Sequence, residues 1–185
     1  MEREISDRNI LDQFCEDFCD IVERHCRYII VSGFLVIASG RTRGTEDIDM
    51  IIERISLEKC RELFKDLQAN GFTCMQSPQP DVVYDYLQDN TSIRFTRQGE
   101  FLPEMEMKFA KDRLDLLQLD QRVKLELTGL KVWFSDVNIN VAFKEEYLKS
   151  TKDLEDARHL RIVYQEMIDE EKIRQFKEMI RRYRL

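Results

Sequence analysis

The chain contains 185 residues, of which 43% are hydrophobic and 35% are charged. This length suits one domain, with or without an extension, because single domains commonly contain about 100–200 residues. The formal net charge of −7 argues against a uniform nucleic-acid-binding surface.

The sequence gives no indication of a membrane or secreted protein. The charged N-terminus is not followed by an apolar segment of the kind found in signal peptides. The longest apolar stretch, residues 28–39, is shorter than the roughly 20 residues that span a bilayer. We therefore expect a cytoplasmic protein with no membrane partner. Its five cysteines are then expected to be reduced and packed.

The first third of the chain alternates between helical and extended patterns. Apolar residues recur at helical spacing over residues 9–26, which predicts an amphipathic helix. A β-rich segment at 28–31 predicts a buried strand, and a short helix is expected over 34–38. Polar residues 41–46 predict a loop, and a second strand follows at 48–52.

Residues 56–70 predict the next helix. Ser56 is expected to be its N-cap, and Gly71 follows its end. Residues 81–87 favour neither a helix nor a strand.

The rest of the chain predicts strands first and helices afterwards. Strands are expected at 92–96 and 105–109, joined by a turn. Residues 122–134 predict two further strands, residues 136–147 turn helical, and residues 153–185 are mostly helical.

These elements predict an α/β (α+β) fold with a mixed β-sheet flanked by helices. We expect residues 1–135 to form the core and residues 136–185 to form a C-terminal helical region packed on it.

The strongest candidate for chemistry is the pair Asp47 and Asp49 on the second strand. Successive side chains of a strand point to opposite faces, so both carboxylates share one face while Ile48 and Met50 point into the core. Two carboxylates so close repel each other unless a cation lies between them. They therefore suit Mg²⁺ or Mn²⁺, which bond carboxylate and phosphate oxygens.

A third carboxylate is available on a later strand. Glu104 and Glu106 alternate with apolar residues, and either one could complete a cluster if the strands are neighbours. Three carboxylates can hold two metal ions, of which one activates an acceptor hydroxyl and the other stabilises a leaving pyrophosphate.

The alternative is a solvated acidic strand face, because Asp-x-Asp pairs are frequent in proteins. The preceding residues favour chemistry. Gly33 allows backbone N–H groups to approach a phosphate at the start of a helix. Arg41 and Arg43 offer charge-assisted hydrogen bonds to a triphosphate.

Taken together, these residues resemble the polymerase-β-like nucleotidyltransferase superfamily. Its signature is a hydrophobic strand, a Gly-Ser or Gly-Gly pair, about a dozen residues and Asp-x-Asp. Here the pair is Ser32-Gly33, in the opposite order, and it is followed by Asp47-Ile48-Asp49. The segment 40–49 and the later Lys-Asp-x-x-Asp-Ala at 152–157 resemble the branch of AbiEii-type toxins and small stand-alone nucleotidyltransferases.

The resemblance implies a mechanism as well as a fold. Ser32 and Gly33 would hold the β- and γ-phosphates of an NTP substrate. Asp47 and Asp49 would hold the metal, and Glu106, in place of the more usual Asp, would help to bind it and to deprotonate the acceptor. The further nucleotide-binding residues implied are Arg41, Arg43, Thr45, Lys152 and Asp153.

Three of these residues have structural alternatives. Thr45 would either orient the loop or cap it, and capping is the preferred interpretation. Lys152 and Asp153 also fit the first turn of a helix capped by Thr151.

The C-terminal segment 172–185 carries a charge of +5 and the remainder of the chain −12. Its apolar residues recur at helical spacing and are expected to pack on the body or on a second subunit, as in a homodimer. Its basic residues could contact RNA phosphates, but a solvated face is the preferred interpretation.

The sequence thus favours a metal-dependent nucleotidyltransferase that moves an NMP from an NTP to a hydroxyl acceptor. By the resemblance the acceptor is an RNA end such as tRNA, and a protein side chain or a small molecule is the alternative. The non-enzymatic alternative is a nucleotide-binding partner module of a toxin–antitoxin pair with the same fold and little turnover.

Overall fold

The computed structural model describes residues 2–185 except Arg43 and Glu46, and it describes side chains from Ile10 onward. The strands are β1 (Tyr28–Val31), β2 (Asp47–Ile52), β3 (Phe72–Cys74), β4 (Ile93–Arg97) and β5 (Glu104–Phe109). The helices are α1 (Glu2–Glu23), α2 (Gly33–Ala38), α3 (Leu57–Ala69), α4 (Pro80–Gln88), α5 (Arg113–Asp120), α6 (Val137–Phe143), α7 (Thr151–Val163) and α8 (Glu170–Arg184). This architecture confirms the predicted α+β class.

The five strands form one mixed sheet in the order β1-β2-β5-β4-β3. Only the β2–β5 pair is parallel; the other three pairs are antiparallel. Ile48, Met50 and Ile52 are fully buried in the main core on one face of β2. Because side chains alternate along a strand, Asp47 and Asp49 occupy the other face.

The helices α1, α3 and α4 bury their apolar stripes against the main core. Phe18 of α1 meets Phe72 of β3 edge-to-face, with ring centroids 5.1 Å apart. The hydroxyl of Ser56 accepts a hydrogen bond from the Lys59 backbone N–H at 3.2 Å, which confirms the predicted N-cap. The ambiguous segment 81–87 is helical, with Pro80 in its first turn, a position that tolerates the missing N–H of proline.

The prediction of two strands within residues 122–134 is wrong. The backbone there makes isolated bridges from Phe134 to Ile30 and Val123, and a 3₁₀ turn at Glu126–Thr128 reverses the chain. The Thr128 hydroxyl and its backbone N–H both donate to the Leu125 carbonyl, at 2.7 Å and 3.0 Å, so the chain forms local bonds at this turn. The β-like pattern here reflects apolar residues that are buried in a loop.

The C-terminal helices pack on the same apolar cluster as the sheet. A π-helical turn, Lys144–Leu148, follows α6. Ser150 is the N-cap of α7 and forms a capping box with Asp153, so the expected Thr151 cap is wrong by one residue. The apolar stripe of α8 packs on the body, and its residues Ile173, Phe176 and Ile180 are buried.

The main cluster contains side chains from both sides of the predicted boundary at residue 135; the boundary itself stays a prediction. Among the helices that the structure describes, none has the length and apolar character needed to cross a bilayer.

Candidate active site

A sharp turn at Ser32 links β1 to α2. The Ser32 backbone has φ 68° and ψ −138°, a conformation that glycine adopts readily and other residues rarely. All six residues of α2 are buried, and the following Ser39 hydroxyl donates to the Leu35 carbonyl at 2.7 Å. Ser39 also lies 2.8 Å from the Tyr164 hydroxyl of the C-terminal region. The turn is therefore held on a packed support.

The register of the sheet brings the predicted carboxylates together. Asp49 pairs with Val31 on one side and with Glu106 on the other, and Asp47 pairs with Glu104. The four carboxylates thus form two adjacent rows on the face opposite the main core. This arrangement requires the parallel β2–β5 pairing, which joins segments 57 positions apart in sequence.

The pKa values record the crowding of these carboxylates. Burial raises the pKa of Asp49, and the charges of Glu106 and Asp47 raise it further, while Lys108 and a hydrogen bond from Ser32 act in the opposite direction. Burial also raises the pKa of Glu104, followed by its hydrogen bond and charge interaction with Asp47. The cluster therefore carries more negative than positive charge.

Arg94 of β4 supplies part of the missing charge. It lies opposite Glu106 in the antiparallel β4–β5 pair, and its Nη2 donates to Glu106 Oε2 at 3.2 Å. Its Nε lies 3.5 Å from Glu104 Oε1. Sequence reasoning missed this arginine, although alternation with buried Ile93 and Phe95 placed it on the acidic face.

No group of three or more His, Cys, Asp or Glu side chains within the described residues is arranged to hold a metal ion. The oxygen ligands of Asp47, Asp49 and Glu106 suit a hard divalent cation by their chemistry. In the structure Glu106 is paired with Arg94.

A cleft of about 200 Å³ opens beside this cluster. Ser32 and Asp49 line it, whereas Asp47 and Glu106 do not. The other side chains in its wall come from β1, β2 and β5 and from α5, α6, the π-helical turn and α8; they are Val31, Ile51, Lys108, Asp115, Gln118, Asn140, Phe143, Lys144, Tyr147, Leu148 and Arg184. Ligand pockets commonly reach about 300–1,000 Å³, so this cleft suits part of a larger ligand.

Two cations of the cleft are bound to carboxylates. Lys144 is buried, with its Nζ 3.0 Å from Asp156 Oδ2. Arg184 Nε lies 2.6 Å from Asp112 Oδ2, and its Nη2 lies 2.9 Å from Asp115 Oδ1. These three ion pairs tie the C-terminal helices to their neighbours.

Arg41, which is predicted to bind the nucleotide, forms hydrogen bonds with α7. Its guanidinium donates to Asp156, to Glu155 Oε2 at 2.7 Å and to the Lys152 carbonyl at 3.4 Å. Asp153 caps its own helix through Ser150. These contacts connect the loop after α2 to α7, and roles of Arg41, Lys152 and Asp153 in nucleotide binding stay predictions.

The remaining predicted residues differ in what the structure describes. The Thr45 hydroxyl donates to the Asp47 carbonyl at 3.1 Å, and a role of Thr45 in nucleotide binding stays a prediction. Gly33 is the first, buried residue of α2. Arg43 lies outside the described residues.

The basic face of α8 makes ion pairs within the chain. Lys177 Nζ lies 2.5 Å from Glu145 Oε2, and Arg181 Nε lies 2.8 Å from Glu146 Oε1. Both glutamates belong to the π-helical turn. The stripe thus helps to dock α8 on the body, and RNA binding by it stays a prediction.

Comparison with known proteins supports the fold. No family model matches the sequence, and no curated protein sequence matches it significantly. Solved structures do match, among them an antigenic nucleotidyltransferase-like protein from Paracoccidioides brasiliensis. The match has 16% identity and a TM-score of 0.50, and it covers 95% of this chain and 87% of that one. At this identity the likeness extends to the fold alone.

Proposed function

We propose that this chain is a metal-dependent nucleotidyltransferase that moves an NMP from an NTP to a hydroxyl acceptor. The observation that carries the proposal is the parallel register that sets Asp49 beside Glu106, next to the Ser32 turn. The raised pKa of Asp49 supports it, because crowded carboxylates favour binding of a cation. The nucleotidyltransferase-like fold is consistent with this function.

The residues of the site would divide between phosphate binding and metal binding. Ser32 and Gly33 would hold the β- and γ-phosphates at the turn. Asp47, Asp49 and Glu106 would hold Mg²⁺ or Mn²⁺, which when bound would lower the pKa of the acceptor hydroxyl and neutralise phosphate charge. Glu106 would also accept the acceptor's proton, which requires it to leave Arg94.

The substrates follow from the resemblance rather than from geometry. An RNA end such as tRNA is the acceptor we propose, together with a relation to the AbiEii-type branch. Arg41, Arg43, Lys152 and Asp153 would then assist in nucleotide binding. For Arg41 this requires exchange of its carboxylate partners on α7 for phosphate oxygens, both of which suit a guanidinium.

The test is transfer of label from NTPs labelled on the α-phosphate, incubated with Mg²⁺ and a cell extract. We expect a labelled product with the wild-type chain and at least a 100-fold loss with Asp49→Asn, a size typical of lost transition-state stabilisation. Asp85→Asn is the matched control, because Asp85 is an exposed carboxylate on α4. Absence of product with all four NTPs would refute the proposed enzymatic activity. Labelling by Asp49→Asn equal to that by the wild type would refute it as well.

A second candidate is a nucleotide-binding partner module with little turnover. The observation that favours it is the Arg94–Glu106 ion pair, in which a side chain of the protein neutralises the third carboxylate. In that case the chain binds labelled NTP without forming product.

Metal titration of Arg94→Gln separates the two candidates. If the carboxylates are metal ligands, this variant binds Mg²⁺ more tightly than the wild type, because Arg94 no longer competes. Arg61→Gln, which removes an exposed ion pair between α3 and α4, is the control. Equal and negligible Mg²⁺ binding by both variants would favour the partner module.

A further inference from the structure

Lys108 lies on the acidic face of β5, two residues beyond Glu106. Residues two apart on a strand share a face and lie about 6.6 Å apart. The parallel register pairs Lys108 with Ile51. This pair lies two residues along each strand from the pair of Asp49 and Glu106, and on the same face. Lys108 thus belongs to the wall of the cleft beside the carboxylates.

Lys108 differs from the other two cations of the cleft. Lys144 and Arg184 are held by carboxylates at 3.0 Å and 2.6 Å. Among the described residues, no carboxylate lies within 4.0 Å of the Lys108 amino group, although its charge acts on Asp49 and lowers the pKa of that residue. The side chain is half-buried. Binding of an anion beside a half-buried cation is favourable, because it compensates the cost of burying the charge.

We propose that Lys108 binds the α-phosphate of the donor nucleotide and is a catalytic residue of the transfer. The inference rests on the proposed nucleotidyltransferase function. A triphosphate whose β- and γ-phosphates lie at Ser32 would direct its α-phosphate past Asp49 toward Lys108, since all three residues line one cleft.

The chemistry gives this lysine a defined task. The acceptor oxygen forms a bond to the α-phosphorus, and the bond from that phosphorus to the oxygen bridging the α- and β-phosphates breaks. The electron pair leaves with pyrophosphate, and the acceptor proton passes to Glu106. In the transition state, negative charge is spread over the non-bridging α-phosphate oxygens. The ammonium group of Lys108 stabilises this charge.

The test compares Lys108→Gln and Lys108→Arg with the wild type in steady-state transfer of labelled NMP. We expect about a 100-fold lower kcat for Lys108→Gln with a smaller change in KM for the NTP, as for loss of one donor to a transition state. Lys108→Arg keeps the charge and should recover part of the loss. Lys65→Gln, an exposed lysine of α3, is the control and should retain full activity.

The outcomes separate this inference from the function on which it rests. Transfer by Lys108→Gln within twofold of the wild type would overturn the assignment of Lys108 and leave the proposed function intact. Recovery of Lys108→Gln at pH 9 would also overturn it, because Lys108 would then act only through the ionisation of Asp49. No transfer by the wild type would overturn both.

Discussion

Replacement of Ser32 tests whether the turn before α2 is strained. Ser32 has a positive φ of 68°, and its side chain lowers the pKa of Asp49. Ser32→Gly and Ser32→Ala both remove the serine hydroxyl, so the loss of its effect on Asp49 is common to the two variants. The difference between them isolates the effect of the Cβ atom on the backbone.

The expected difference follows from two opposing contributions. A non-glycine residue held in such a conformation costs about 1–3 kcal/mol. Glycine in place of alanine costs about 0.4–1 kcal/mol, because the unfolded chain gains conformational freedom. Ser32→Gly should therefore unfold with a free energy about 1 kcal/mol higher than Ser32→Ala, which reverses the usual order of the two residues.

Urea and thermal denaturation followed by circular dichroism would measure this difference. About 1 kcal/mol corresponds to about 2–4 °C in Tm for a chain of this size. Glu62, an exposed residue of α3, provides the control, since there Glu62→Ala should exceed Glu62→Gly in stability by about 1 kcal/mol. An alanine variant at position 32 that equals or exceeds the glycine variant would refute the reasoning.

Three further predictions concern stability. Arg184→Met should lower the free energy of unfolding by about 1–3 kcal/mol, because it leaves two carboxylates without their partner; Arg174→Met, in an exposed pair, should change it by less than about 0.5 kcal/mol in the same denaturant titration. Ile180→Ala should cost about 2–5 kcal/mol because the side chain is fully buried, whereas Ile162→Ala, 65% exposed, should be nearly neutral in thermal unfolding. Glu104→Gln should raise the free energy of unfolding at pH 7, because the folded state raises the pKa of this carboxyl and its charged form opposes folding; the gain should disappear below the ordinary glutamate pKa, and a gain that grows on acidification would contradict it.

Much of the sheet could be predicted because its strands carry local signals. The alternation around Asp47 and Asp49 fixes which face the carboxylates occupy, and the structure agrees. The choice between Glu104 and Glu106 could not be made from the sequence, since both point the same way. The register decides which neighbour each aspartate has, and it depends on the packing of the whole sheet.

The parts that sequence reasoning missed depend on long-range contacts. Arg94 meets Glu106 only because β4 lies beside β5, and Arg41 meets α7 across more than 100 residues. The wrong strands at residues 122–134 show the reverse error. Leu125, Leu130 and Val132 have the pattern of a strand, but the core takes them up individually from a loop.

The position of β5 at the centre of the sheet has a consequence for motion. β5 has a hydrogen-bonded strand on each side, and so has β2, so neither can fray from an edge. In native-state hydrogen exchange, the amides of the strands that carry Asp49 and Glu106 should exchange only through global unfolding. The strands that hold Asp49 and Glu106 therefore stay paired as long as the chain is folded. Any slow opening of the cleft should occur in the elements around these strands.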